Sequence, residues 1–268
     1  MTIAKAYKVR LYPTKEQQEL MIKTFGCVRL VHNKALHICK DTYANTKRPV
    51  FYGELSRMLT FWKTTTELSF LKAVDKFALQ NSLRDLCQGF TNMKHGAGYP
   101  KYKSKHDHHD SYKTQFTNNN IAVDNTYIKL PKLGHVRYRD RKTPQGKIRN
   151  VTISRTPSGR FYASVCVETE DVRKLPMTGN QIGIDLGIKG FCAMSNHEKV
   201  ENPCFLNKTL QQIQRLQREL SRKSKGSSNW EKNRIKLARL YEKATNQKKD
   251  FLEKLSTRIV SENDVICI

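Results

Sequence analysis

Negative charge is scarce in this chain: 268 residues include 24 Asp and Glu against 49 Lys and Arg, a formal net charge of +25. A soluble protein seldom carries such an excess without a polyanionic partner, and nucleic acid is the leading one. The rival polyanion is a membrane surface. No apolar run approaches the roughly 18–20 residues of a spanning helix, and residues 1–10 lack the pattern of a signal peptide. The expectation is a soluble, cytoplasmic chain with no membrane partner. Cysteine pairs are missing too. Cys27, Cys39, Cys87, Cys166, Cys192, Cys204 and Cys267 are odd in number and contain no C-x-x-C, which excludes a zinc knuckle and a disulfide framework and leaves reduced, mostly buried thiols. Metal-ligand residue types cluster once, at His106, Asp107, His108, His109 and Asp110. Adjacent residues reach one ion only through a strained loop, so this reads as a solvated polar loop.

What is present suffices for two or three domains, since 38% of the residues are hydrophobic. Residues 181–191, Q-I-G-I-D-L-G-I-K-G-F, place Asp185 at the end of an apolar strand between glycines, with a return strand over residues 191–194. A carboxylate there is rigid and faces outward. In ribonuclease H-like nucleases such a group joins others to hold two Mg²⁺ ions about 3.5–4 Å apart. Actin-like and sugar-kinase ATPases open on a similar string, but with Thr or Ser where Ile188 and Lys189 stand. A third reading is a buried strand ended by a turn-capping Asp.

Along the chain, residues 3–12 alternate as a half-buried strand, with Tyr7, Val9 and Leu11 on one face and Lys8 and Arg10 on the other, until Pro13. Thr14 and Gln17 form a capping box, and the apolar pattern from Leu20 to Ile38 predicts two helices joined near Gly26, as in a helix-turn-helix or any small helical bundle. Residues 52–93 read as a helical block with Leu79, Leu83, Leu86 and Phe90 in its core stripe and Lys76, Gln80, Asn81 and Arg84 on the other face. Tyr99 and Tyr102 interleave with Lys101, Lys103 and Lys105 in a loop, a pattern suited to unpaired bases or a phosphate backbone as well as to an ordinary basic loop. Strands are expected at residues 115–120, 127–139, 148–155 and 161–168. T-P-S-G at 156–159 makes a hairpin, and Phe161, Ala163, Val165 and Val167 form the buried face. These strands could close with the first into a small barrel whose outside carries Arg137, Arg139, Arg141, Lys142, Lys147 and Arg149. A linker follows over residues 170–180. Residues 206–262 predict a helical hairpin turning at S-K-G-S-S, with a basic ridge of Arg215, Arg218, Arg222, Lys223, Lys225, Arg234, Lys236, Arg239 and Lys243 fit to track phosphates. Residues 265–268 read as a buried strand.

K-V-R-L-Y-P (8–13), V-D-K-F-A-L-Q-N-S-L (74–83), G-Y-P-K-Y-K (98–103), Q-F-T-N-N-N (115–120), L-P-K-L-G (130–134) and G-I-D-L-G-I-K (183–189) together resemble the TnpB, or OrfB, family of bacterial insertion sequences. These are RNA-guided DNA endonucleases related to type V CRISPR effectors. The resemblance implies a mixed α/β and α+β, multidomain fold. A wedge-type β-barrel comes from residues 1–12 and 111–178, with a helical recognition domain over 13–110 inserted into it. A RuvC-like (ribonuclease H-like) domain with a long basic helical hairpin follows over 179–268. It implies guide RNA and target DNA as partners and Mg as the metal of full-length relatives. It further implies DNA-reading positions at Tyr52, Ser56, Lys76, Phe77, Gln80, Asn81, Thr117 and Asn118, with Lys8, Arg10, Lys101, Lys103, Arg215, Arg218, Arg222, Lys223, Arg234 and Arg239 toward RNA or phosphate. Of the family's three catalytic carboxylates it places only Asp185 within residues 1–268, and the family's four-cysteine zinc insertion has no counterpart here. The chain is therefore expected to be a C-terminally truncated member that does not cut DNA by itself. Two alternatives are a nuclease-dead RNA-guided DNA-binding repressor and a generic basic RNA-binding protein.

Overall fold

The computed structural model describes residues 2–107, 110–139, 144–170 and 175–268. The chain forms two compact units, residues 1–171 and 172–268.

The first unit begins with β1 (Ile3–Tyr12), followed by α1 (Lys15–Thr46), α2 (Tyr52–Thr64), a 3-10 turn over Thr66–Ala73 and α3 (Lys76–Lys94). Strands β2 (Asp110–Gln115), β3 (Ala122–Val123), β4 (Tyr127–Leu130), β5 (Gly134–Arg139), β6 (Lys147–Arg155) and β7 (Phe161–Thr169) complete it. Their pairing gives one antiparallel seven-stranded sheet in the order β2-β6-β7-β1-β5-β4-β3. The alternation read in residues 3–12 places Val9 and Leu11 in the core and Lys8 outside. Val9 stands opposite Ala163 and Leu11 opposite Phe161, so the buried positions of two distant segments meet in one row. Phe161, Ala163, Val165 and Val167 are all buried, and T-P-S-G makes the β6–β7 turn, where Thr156 N–H donates to the Arg160 carbonyl at 2.9 Å.

The helices share the core of the sheet. Phe25 of α1 meets Tyr112 of β2 with ring centroids 5.5 Å apart, and the Ser82 hydroxyl of α3 donates to the Val28 carbonyl of α1 at 3.0 Å. The capping box at Thr14 is present: Gln17 N–H donates to the Thr14 hydroxyl at 3.3 Å and Thr14 N–H to the Gln17 amide oxygen at 3.0 Å. The Gln17 amide also donates to the carbonyls of Leu133 (3.1 Å) and His135 (2.9 Å), fastening the helix start to the β4–β5 turn.

Three expectations are corrected. The predicted joint near Gly26 does not exist, because α1 runs unbroken for 32 residues. Phe25, Cys27 and Val28 are all buried around that glycine, and this packing outweighs its poor helix propensity. Residues 116–120 are not strand. Q-F-T-N-N-N leaves β2 after Gln115 and turns, with Asn118 and Asn119 left-handed at φ 48° and 53° and the Asn120 amide donating to the Gln115 carbonyl at 2.9 Å. Residues 127–139 are two strands, since P-K-L-G turns between them with Lys132 at φ 66° and Gly134 at φ 68°.

The second unit contains β8 (Gln181–Leu186), β9 (Gly190–Met194), β10 (Lys199–Glu201), α4 (Phe205–Ser221), α5 (Ser228–Glu262) and β11 (Val265–Cys267), with sheet order β10-β9-β8-β11. Strand β11 pairs parallel to β8, and β9 antiparallel. The α4–α5 hairpin turns at the predicted S-K-G-S-S, where the Ser227 hydroxyl caps α5 by accepting from Trp230 N–H at 3.1 Å. Ile182, Cys192, Met194 and Ile259 form this unit's small core. Residues 265–267 pair as expected at one end of the sheet order, with Val265 exposed.

An alanine Cβ at Gly26 would meet nothing within 4 Å. Gly26→Ala should therefore raise stability by about 0.5–1 kcal/mol through helix propensity. A urea titration showing no gain, or a loss, would mean that this helix needs a flexible joint at Gly26.

Candidate nucleic-acid interface and carboxylate site

Helix α3 starts where two turns of the sheet converge on it. Asp75 caps it, one carboxylate oxygen accepting from Phe77 N–H at 3.1 Å, while the other is buried without a hydrogen-bond partner among the described residues. Around this helix start lies a cleft of about 520 Å³ lined by Lys63, Leu71, Lys72, Val74, Asp75, Lys76, Phe77, Thr117, Asn118, Asn120, Pro131 and Lys132. Its walls come from α2, the 3-10 turn, α3 and the turns following β2 and β4. The 117–120 turn is held by its own side chains, with Thr117 N–H donating to the Asn120 amide oxygen at 2.8 Å. Burial, and then the charge of Lys76, hold the Lys63 amine below its ordinary value, against the pull of Asp75. Crowded cations above a helix N-terminus can be relieved by an anion.

Of the sequence-named DNA-reading residues, Lys76, Phe77, Thr117 and Asn118 line this cleft. Gln80 lies one turn along α3, half-buried. Tyr52 starts α2 with its ring under the Arg84 guanidinium at 5.2 Å, and Ser56 is one turn further. Asn81 has a different place. It is 2% exposed and its amide donates to the Lys113 carbonyl at 2.8 Å, so it fastens α3 to β2 and presents nothing to a ligand. Lys63, Lys72, Lys132 and Asn120 were not anticipated. Lys132 lies inside L-P-K-L-G and Asn120 inside Q-F-T-N-N-N, two of the segments that carry the family resemblance, whereas no local pattern marks Lys63 or Lys72.

The other basic candidates divide by partner. Lys8 lies over the Tyr162 ring (5.0 Å) and Arg10 over Tyr12 (4.8 Å), both on the outer face of β1. Lys101 and Lys103 are exposed in the loop after α3. On the hairpin, Arg218, Arg222 and Arg239 are exposed and Lys223 half-buried, while Arg215 pairs with Glu219 at 3.1 Å. Arg234 does not stay wet as expected: its side chain is 13% exposed and its Nε donates to Glu231 at 2.8 Å. In the His106–Asp110 cluster, Asp110 is paired with Arg29 at 3.2 Å, and His108 and His109 lie outside the described residues, as do Arg141 and Lys142.

In the second unit Asp185 is exposed near the end of β8, opposite Ala193 of β9, with Lys199 of β10 next in the row. It lines a depression of about 540 Å³ together with Gly187, Lys189, Gly190, Cys192, Ala193, Lys199, Val200, Glu201 and Asn202. Glu201 of β10 borders the same depression. Among the described residues no three His, Cys, Asp or Glu side chains are grouped to hold a metal ion. One or two carboxylates beside two lysines do not fit a two-metal centre.

The start of β8 is held by Asp264. Its carboxylate accepts from Thr178 N–H (3.0 Å), Gly179 N–H (2.7 Å) and the Thr178 hydroxyl (3.2 Å), and the Asn180 amide donates to the Glu262 carbonyl at 3.0 Å. The two backbone donors hold the Asp264 carboxyl below its ordinary value.

Family models match the chain in two places: one described as "Probable transposase" over residues 164–268 and one described as "Helix-turn-helix domain" over residues 1–48, both of the OrfB group of IS605. The latter residues fold here as β1 and one continuous helix. A protein of Streptomyces pristinaespiralis with the provisional name RNA-guided DNA endonuclease is 38% identical, covering 99% of this chain and 66% of that protein. InsQ of Escherichia coli K12, provisionally named likewise, is 31% identical over 98% of this chain and 65% of its own length. A solved complex of Cas12f1 with sgRNA and target DNA aligns with a TM-score of 0.46 at 12% identity, covering 96% of this chain and 78% of that one. The chain belongs to the OrfB, or TnpB, family of insertion-sequence proteins. It spans about two thirds of the length of these two curated relatives.

Because its folded pKa is depressed, Asp264 contributes stability above the ordinary carboxylate value of about 3.9, and loses it as pH falls through the lower folded value. Asp264→Asn should lower the melting temperature at neutral pH, and the gap to the parent chain should close in acid. A gap that persisted unchanged below that window would assign the effect to shape and not to charge.

Proposed function

We propose that this chain is the nucleic-acid-binding portion of an RNA-guided DNA endonuclease of an insertion sequence, binding guide RNA and target DNA as its relatives' names indicate for them. On this reading residues 1–12 and 111–178 make a wedge-type barrel, 13–110 a recognition domain and 179–268 a RuvC-like portion whose Mg would sit at Asp185 in longer relatives.

The cleft at the start of α3 carries the proposal. Four lysines, Lys63, Lys72, Lys76 and Lys132, border it beside Phe77, Thr117 and Asn118, and they come from segments far apart in sequence. Lysine rims neutralise phosphates without reading sequence, while amide, hydroxyl and aromatic groups discriminate base edges. Both kinds converge here, which favours reading of a short duplex motif over generic RNA binding. Asp185 stands near a strand end without an ion pair or side-chain hydrogen bond among the described residues.

If six or more phosphates are contacted, affinity should fall by about 10³ or more between roughly 50 and 200 mM salt. Lys76→Ala or Lys132→Ala should weaken all duplexes alike and flatten the salt slope, whereas Asn118→Ala should change sequence preference. A salt-independent filter-binding curve would sink the reading.

With guide RNA and Mg²⁺, residues 1–268 should bind DNA without cutting it, and Asp185→Ala should leave that binding unchanged. Cleavage that survives Asp185→Ala would place the chemistry elsewhere in the chain.

A further inference from the structure

Residues 98–104 form neither helix nor strand, yet they are fastened to two helices. The Asn33 amide of α1 donates to the Lys103 carbonyl at 3.0 Å, and its oxygen accepts from Lys103 N–H at 2.8 Å. One residue earlier, His32 Nε2 lies 3.2 Å from the Lys101 carbonyl. On the α3 side, Pro100 fits against Gly89, where a Cβ would stand 3.3 Å from the proline Cγ. Tyr99 packs edge-on to Phe90 at 5.6 Å. The rings themselves stay half open, Tyr99 at 46% and Tyr102 at 48% exposure. The Lys40 ammonium lies 5.4 Å from the first ring centroid and 4.5 Å from the second.

An ordinary basic loop does not order its backbone so thoroughly while leaving two aromatic rings in water. The backbone that carries those rings is held before any ligand arrives, which is what preorganised recognition requires. Every nucleobase presents a π-face, so aromatic rings beside cations suit an unpaired strand whatever its sequence, the cations following its phosphates. Duplex DNA keeps its bases stacked inside and offers such rings nothing.

We propose that Tyr99 and Tyr102, with Lys40 against both rings and Lys101 between them in sequence, form a stacking platform for unpaired bases of RNA. The platform rests on the nucleic-acid reading above, in which guide RNA is one of the two strands bound. It is separate from the cleft at α3, which meets duplex. Asn33 is its positioning residue: it touches no base but fixes the backbone that carries both rings.

The full chain, freed of copurified RNA, is titrated with a labelled oligouridine, with the same oligomer carrying abasic sites, and with its DNA counterpart. The variant with Tyr99→Leu and Tyr102→Leu should weaken oligouridine binding about 25-fold or more, since stacking contributes roughly fivefold or more per base and two rings are removed. It should leave abasic RNA binding unchanged, and Tyr102→Phe should behave as the parent. Asn33→Ala should reproduce part of the loss with both rings intact, which keeps the test alive if the leucine variant does not fold. Equal loss on abasic RNA, or no loss on oligouridine, overturns the platform while the nucleic-acid reading stands. A larger loss with the DNA oligomer overturns the assignment to RNA. Failure of the parent chain to bind any of the three overturns both.

Discussion

Strand β1 lies inside the seven-stranded sheet, and both of its neighbours arrive late in the chain, β5 at Gly134–Arg139 and β7 at Phe161–Thr169. The first unit depends on that pairing. It sets Tyr7, Val9 and Leu11 opposite Val165, Ala163 and Phe161, so that a slip of one residue would turn Lys8 and Arg10 into the core. Register is therefore tightly specified although closure is non-local and slow to be rewarded. The three helices inserted between β1 and β2 then share one continuous core with the sheet. The turns after β2 and β4 take their positions from this sheet, and with them the cleft at α3.

A chain with 49 Lys and Arg against 24 Asp and Glu cannot pair every cation with an acid. Several here rest on aromatic faces: Lys8 on Tyr162, Arg10 on Tyr12, Arg84 on Tyr52 and Lys40 on Tyr102. Such contacts are worth about 0.5–1 kcal/mol at exposed sites. A cation on a ring can take a phosphate without surrendering a carboxylate. Arg29 with Asp110 and Arg234 with Glu231 cannot do so, because they would leave an acid behind. Partner type thus separates the basic residues that rest on rings from those tied to an acid, a distinction that counting charge along a helix does not make.

Strong periodicity was legible. Residues 3–12, 161–168 and the Leu79–Leu83–Leu86 stripe announce their elements because each buries one face, and the capping box at Thr14 and the T-P-S-G turn announce themselves by local chemistry. The unbroken α1 was not legible, because a glycine's local cost is overruled by neighbours contributed from elsewhere. Asn81 was misread because α3 is covered on a second side by β2, and a helical wheel cannot show a second cover. The Q-F-T-N-N-N turn could have been read from three successive asparagines, which tolerate left-handed backbone. Of the cleft, the half in V-D-K-F and T-N was readable through the family resemblance. Lys63 and Lys72, which no motif marks, join it only through tertiary folding.

The second unit shows how a carboxylate is positioned without being used up. Three-residue parallel pairing of β11 to β8 is weak support by itself. Asp264 and Asn180 supplement it by tying residues 178–180 to the end of α5 through hydrogen bonds of 2.7–3.2 Å. Two residues before Asp185, Gly183 N–H donates to the Ser195 hydroxyl at 3.0 Å and the Gly183 carbonyl accepts from Ser195 N–H at 2.9 Å. The backbone leading to Asp185 is therefore fixed from both sides, while its side chain has no ion pair or hydrogen bond among the described residues. A carboxylate whose place is set by its backbone can give both oxygens to a cation without first breaking a bond. One already bound to a neighbouring lysine could not.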